Sequence, residues 1–176
     1  MRALVVYESM YGNTRQVAEA IAAGLAPHLE VLAVEVGAAP ATIGDDVALL
    51  VVGGPTHAHG MSNAETRRNA AGKAPGGPVS PRIGMREWLA ALRGGSSRVA
   101  ATAFDTRIKG PGFLWGSAAR GADKELRRLG FRVAAEPESF LVKGPMGPVV
   151  NVVADGELER ARAWGAKLAS AFRVPA

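Results

Sequence analysis

The chain has 176 residues, 48% of them apolar and 21% charged. That balance fits one core of ordinary size and is neither disordered nor membrane-like. It has no cysteine, which excludes disulfides, cysteine zinc sites, iron–sulfur clusters and thiol catalysis, so any redox group must be borrowed from a cofactor.

A net charge of +5 raises the question of nucleic acid or an acidic partner. The basic residues are scattered in ones and twos, with no run of five. They read as a solvated surface, and no nucleic-acid partner is expected.

Residues 2–7 are apolar without polar alternation, the pattern of a strand covered on both faces in a parallel sheet. Over 14–25, Val17, Ala18, Ile21, Ala22 and Leu25 recur at helical spacing. Second and third strands are expected at 31–36 and 47–52. The latter is the longest wholly apolar run, far short of a bilayer span. The leading "RALVVYE" lacks the zones of a signal peptide; a cytoplasmic protein with no membrane association is expected.

Residues 72–84, "GKAPGGPVSPRIG", have no period and read as a mobile loop. A helix over 84–94 uses Met85, Trp88, Leu89 and Leu92 on one face, with Trp88 in the core. A fourth strand follows at 98–104 and a helix at 117–129, stopped by Gly130. The fifth strand is expected at 131–135. The last helix, 155–172, would be capped by Asp155, with Glu157 and Glu159 in its first turn. There is no repeat and no dividing linker, so 1–176 is expected to be a single domain.

Strands alternating with helices imply right-handed parallel crossovers and a doubly wound, five-stranded parallel sheet of the α/β class. Only about ten residues separate the second and third strands, fewer than a parallel crossover normally needs; a helix there must be very short or absent.

"VVYESMYGNTRQVAEAI" (5–21) puts small polar residues where the first strand becomes a helix. Ligands bind at that sheet edge, and the helix start presents unpaired N–H groups and the positive dipole end. The stretch therefore reads as an anion cradle, with hydroxyl donors from Ser9 and Thr14 and an amide donor from Asn13. On the loop alone it reads equally as a helix cap by Ser9 or Asn13 with Gly12 making the turn. No GxGxxG follows the first strand and no GxxxxGK[ST] occurs.

This stretch resembles the FMN-phosphate loop of the flavodoxin family, with Tyr7, Ser9, Gly12, Thr14, Ala18 and Ile21 at the family's spacing. "SMYGNT", with its aromatic Tyr11, is similar to loops of flavodiiron proteins and flavodoxin-like quinone reductases. The resemblance implies strand order 2-1-3-4-5 and FMN as cofactor. It assigns the phosphate to Ser9, Met10, Tyr11, Gly12, Asn13 and Thr14.

"VVGGPTHAHGMS" (51–62) is similar to the family's "GxPT" turn beside the isoalloxazine ring. The resemblance implies that Pro55 and Thr56 fix the turn and that His57 replaces a more usual Tyr or Arg. Gly60 would present its backbone to flavin N5 at positive φ. His57 and His59 also invite a metal, but the other histidine, His28, belongs at the opposite sheet edge; no metal site is expected.

The third loop, 101–121, would cover the other flavin face. Phe104, Phe113 and Trp115 are aromatic candidates, although Phe113 and Trp115 read equally as core. Asp105, Thr106 and Arg107 are polar candidates; Arg107 answers a flavin carbonyl or a substrate carboxylate, or simply pairs with Asp105.

The function implied is electron transfer by an FMN flavoprotein. It would be either a carrier with a redox protein partner or a small reductase with a quinone or nicotinamide acceptor, so FMN-dependent oxidoreductase activity stays open. No catalytic base or nucleophile is identifiable. Carrier flavodoxins are typically acidic, unlike this chain. Another class also stays open: a flavodoxin-like regulatory or interaction module without FMN. The 72–84 loop suits a lid or a subunit contact, so a homo-oligomer is neither required nor excluded.

Overall fold

Apolar runs covered on both faces become the parallel centre of one sheet. The computed structural model describes residues 1–93, 95–109, 116–144 and 152–172. In chain order its elements are β1 (Arg2–Tyr7), α1 (Asn13–Leu25), β2 (Glu30–Glu35), a 3-10 turn (Val36–Ala38), β3 (Val47–His57), β4 (Gly60–Met61), α2 (Ala64–Ala71) and α3 (Met85–Ala91). Then come β5 (Ala100–Ile108), α4 (Ala118–Arg128), β6 (Arg132–Val133), β7 (Glu138–Lys143), β8 (Val152–Val153) and α5 (Glu157–Ser170).

The sheet runs β2-β1-β3-β5-β7-β8. Its long strands are mutually parallel and follow the expected 2-1-3-4-5 order. The short β8 runs antiparallel on β7, so the sheet is mostly rather than wholly parallel.

Alternation along β1 divides the core. Leu4 and Val6 enter the layer of α3 and α4, whereas Ala3 and Val5 enter that of α1 and α5. In the second layer α1 and α5 approach so closely that a Cβ on Gly165 would lie 2.3 Å from the Ile21 carbonyl oxygen. A Cβ on Gly24 would lie 2.1 Å from that of Arg162.

The fifth strand departs from expectation. At 131–135 only the two-residue β6 pairs, against the start of β5, and the principal strand is β7 on the other half of β5. Pro137 lies between them and has no N–H to continue the ladder. The connection from β2 to β3 has a 3-10 turn and no α-helix; Trp88, buried as expected, holds it by donating Nε1–H to the Pro40 carbonyl at 3.0 Å.

Gly130 ends α4 as expected, at φ 89°, with Phe131 N–H reaching back to the Leu126 carbonyl. Asp155 does not cap α5. The cap is Gly156 at φ 79°, while Asp155 pairs with Lys143 on the surface. Among the described residues no helix is long and apolar enough to cross a membrane.

Candidate functional site

At the carboxyl end of β1 the chain turns through Gly12, at φ 93°, into α1. Gly12 is the N-cap and no side chain caps the helix. Ser9 Oγ accepts the Gly12 N–H at 3.1 Å, which shapes the turn and leaves its own proton to donate. Thr14 and Thr106 hydroxyls meet at 2.8 Å, using one of their two protons. Among the described residues none accepts from the amides of Met10 or Tyr11. The first helical amides, from Asn13 on, lie beyond the reach of intrahelical acceptors, and Asn13 itself is buried. A Cβ built on Gly12 would meet nothing within 4 Å. Open space, the donors of Met10 and Tyr11 and a dipole end coincide, and this fits a phosphate group. All six residues predicted for the first loop lie in this turn and helix start.

The 72–84 stretch is not loose. Its Val79 and Ser80 amides donate to the Met10 and Ser9 carbonyls at 3.1 and 2.8 Å, and Ser80 Oγ accepts the Ser9 N–H at 3.0 Å.

In the second loop the turn is displaced from expectation. Pro55 and Thr56 are strand residues of β3, with Pro55 opposite Thr106. Pro55 is tolerated because the β1 side of the ladder has already ended at Gly53. The turn is Ala58–His59, between the paired His57 and Gly60. Ala58 adopts the positive φ, 53°, and Gly60 does not. The φ requirement assigned to Gly60 therefore falls two residues earlier.

Two third-loop assignments also change, and one alternative for Arg107 falls away. Phe104 is fully buried on the α1/α5 side. It packs on Gly53, where a Cβ would lie 2.2 Å from its ring, and edge-on to Phe140 with centroids 6.2 Å apart. β5 runs on beyond it to Ile108, and strand alternation points its ring into the core layer of α1 and α5, away from a ligand at the sheet edge. Asp105 is buried too. Its Oδ2 accepts from Thr56 Oγ1 at 3.0 Å, Ser117 Oγ at 2.6 Å and the Ala119 amide at 3.0 Å, while Oδ1 has no partner. Thr56 Oγ1 in turn accepts the Ala118 amide at 2.9 Å. Asp105 and Thr56 thus fasten the start of α4. Arg107, half-buried, makes no hydrogen bond or ion pair with Asp105. Phe113 and Trp115 lie outside the described residues.

A polar cluster built on two buried residues, Glu8 and Ser62, joins the first two loops. Glu8 is 1% exposed. Its Oε1 accepts from Ser62 Oγ at 2.5 Å and its Oε2 from the Met85 amide at 2.7 Å. Arg67 donates to Ser62 Oγ at 3.0 Å and grips both oxygens of Glu87 at 2.9 Å. Arg86 holds the Met61 and Ser62 carbonyls at 2.7 and 3.0 Å. Burial raises the Glu8 pKa above the ordinary carboxylate range, partly offset by the Ser62 and Met85 bonds and the Arg67 charge. Burial opposes ionisation of Glu87, but the Arg67 hydrogen bond and charge hold its pKa below the usual value. His57 is pushed down to about 4, first by burial and then by the Arg67 charge, so it is neutral at pH 7.

Sequence reasoning missed this cluster. Its one local signal was an acid, Glu8, ending an apolar strand. Sequence reasoning also missed α2, which starts with a capping box between Asn63 and Thr66. Among the described residues no group of three or more His, Asp or Glu side chains is placed to hold a metal.

The family described as Flavodoxin matches residues 5–164. No curated protein matches the chain. Among solved structures, a flavodoxin from the domain Archaea is 20% identical, with 97% of this chain and 98% of that one covered and a TM-score of 0.63. Oxidised Flavodoxin 2 from Bacillus cereus is 16% identical over 98% and 100% of the two chains, with a TM-score of 0.67. Rubredoxin oxygen:oxidoreductase from Desulfovibrio gigas is 18% identical; 97% of this chain covers 36% of that one, with a TM-score of 0.60. These TM-scores establish the shared fold, and the family match extends over most of the sequence: the chain belongs to the flavodoxin family.

Proposed function

We propose that this protein binds FMN and transfers electrons, either as a carrier for a redox protein or as a small reductase acting on a quinone or nicotinamide. Flavodoxins typically bind FMN, and a cysteine-free chain has no redox group of its own among its side chains. The observation that carries the proposal is the start of α1 without a side-chain cap, with the Met10 and Tyr11 amides unpartnered among the described residues and open space over Gly12. These amides would hold the phosphate, and the hydroxyl protons left on Ser9 and on the Thr14–Thr106 pair would add to them. The flavin, when bound, supplies the redox chemistry. The second loop, with neutral His57, would border the ring, and Arg107 would answer a flavin carbonyl or an acceptor carboxylate. The proposal places the protein in the cytoplasm.

One observation favours the module without FMN: the Ser9 and Thr14 hydroxyls are both already engaged within the protein. A visible spectrum of the purified protein and titration of the apo-protein with FMN decide between them. A yellow protein, or saturable FMN binding, is expected. The double change Ser9→Ala/Thr14→Ala should then weaken binding by about 3 kcal/mol or more, at about 1.5–3 kcal/mol for each hydrogen bond to a charged group. A colourless protein that takes up no added FMN overturns the proposal.

A further inference from the structure

We infer that the segment from the last residues of α2 to the first of α3, residues 70–85, is a brace that pre-shapes the phosphate loop, with Ser80 as its positioning residue; the inference rests on the FMN reading. Four consecutive residues of the first loop are each bonded to this segment. Glu8 Oε2 accepts the Met85 amide at 2.7 Å, and Ser9 exchanges two bonds with Ser80, at 3.0 and 2.8 Å. The Met10 carbonyl accepts the Val79 amide at 3.1 Å, and Tyr11 Oη donates to the Ala70 carbonyl at 3.2 Å. As the loop advances from 8 to 11 its partners fall from 85 to 70, so the two segments run in opposite directions. Ser80 is 2% exposed and Ser9 fully buried.

The peptide bond explains what this achieves. In a planar trans peptide, the C=O of one residue and the N–H of the next point in opposite directions, and no cis peptide is present among the described residues. Drawing the Ser9 carbonyl onto the Ser80 amide therefore turns the Met10 N–H away from the brace. Drawing the Met10 carbonyl onto the Val79 amide does the same for the Tyr11 N–H. These are the two loop amides without an acceptor among the described residues. Ser80 Oγ removes the Ser9 N–H from the competition by accepting it. The brace thus aims two donors at one side of the loop before any anion arrives, so the ordering cost of binding is already met in the apo-protein.

The test compares wild type with Ser80→Ala in the apo-protein, by amide hydrogen exchange, and in titrations with FMN and with riboflavin, which lacks the phosphate. The Ser9 amide should be protected in wild type and lose at least about tenfold of that protection in the variant. FMN affinity should fall about tenfold or more as the binding-competent loop becomes less populated, while riboflavin affinity stays unchanged. FMN affinity within twofold of wild type overturns the brace, as does an equal loss for both flavins, which marks general damage. If wild type binds neither flavin, the FMN reading fails, and exchange at Ser9 alone decides the brace: protection lost in Ser80→Ala sustains it, protection unchanged overturns it. Should Ser80→Ala not fold, Val79→Pro removes the amide that holds the Met10 carbonyl and carries the same expectations, including the twofold limit.

Discussion

Two glycine-to-alanine changes on different helices should move stability in opposite directions. Alanine is favoured over glycine in a helix interior by about 0.5–1 kcal/mol. At Gly121 in α4 a new Cβ would touch only Met61 side-chain atoms, at 3.4 and 3.6 Å. That is ordinary contact with a flexible thioether chain. Gly121→Ala should therefore stabilise by about 0.5–1 kcal/mol. At Gly165 in α5 the same atom would lie 2.3 Å from the Ile21 carbonyl oxygen and 3.1 Å from its carbonyl carbon. A carbon needs roughly 3.3 Å from such an oxygen, so α1 and α5 must separate by about 1 Å.

That separation loosens the layer in which Val17, Ala18, Ile21 and Leu25 pack with Ala161, Leu168 and Ala169. Overpacking of this kind costs about 1–3 kcal/mol, which exceeds the helical gain. Gly165→Ala should destabilise by about 1–2 kcal/mol, or roughly 2–8 °C in Tm for a chain of this size. Urea denaturation of the three proteins, with m unchanged, is the measurement. If both variants shift the midpoint the same way, contact with a backbone carbonyl is not what governs the α1–α5 crossing.

His57 should make stability depend on pH between about 4 and 6.5. Its folded pKa lies below its unfolded value, so as pH falls through this window the unfolded chain takes up a proton that the folded chain refuses. Stability present above about pH 6.5 is then lost, by up to about 3 kcal/mol at pH 4. Glu8, raised by burial, acts in the opposite sense and cancels in the difference between wild type and His57→Gln; the variant should gain stability relative to wild type as pH falls through this window, and parallel profiles would exclude the effect. Phe104→Leu should lower stability by about 1 kcal/mol and leave FMN affinity unchanged, because the ring lies in the core. A tenfold loss of affinity at unchanged Tm would restore it to the flavin face.

What was legible followed from how many faces each segment buries. β1 and β3 are covered on both sides, so their apolar runs stand out in the sequence. β7 mixes Glu138, Ser139 and Lys143 with the buried Phe140 and Val142, and its run is too interrupted to be seen. α2 buries no residue at all and therefore has no apolar stripe. The first loop was readable because Gly12 and the hydroxyl residues are contiguous. Phe104 was misplaced because which side of β5 it occupies depends on the register of the strand, which its residue type does not carry. Glu8 and Arg67 lie in separate elements, and only the fold brings them into one cluster.

The Glu8 carboxylate ties three elements together: the end of β1, Ser62 of the second loop and the first amide of α3. Loops that come from separate strands are thereby coupled like parts on a common axle, and neither can shift without dragging the other. Selection acting on these loops can then work from behind, through Arg67 or Arg86, without changing any residue of the first loop itself.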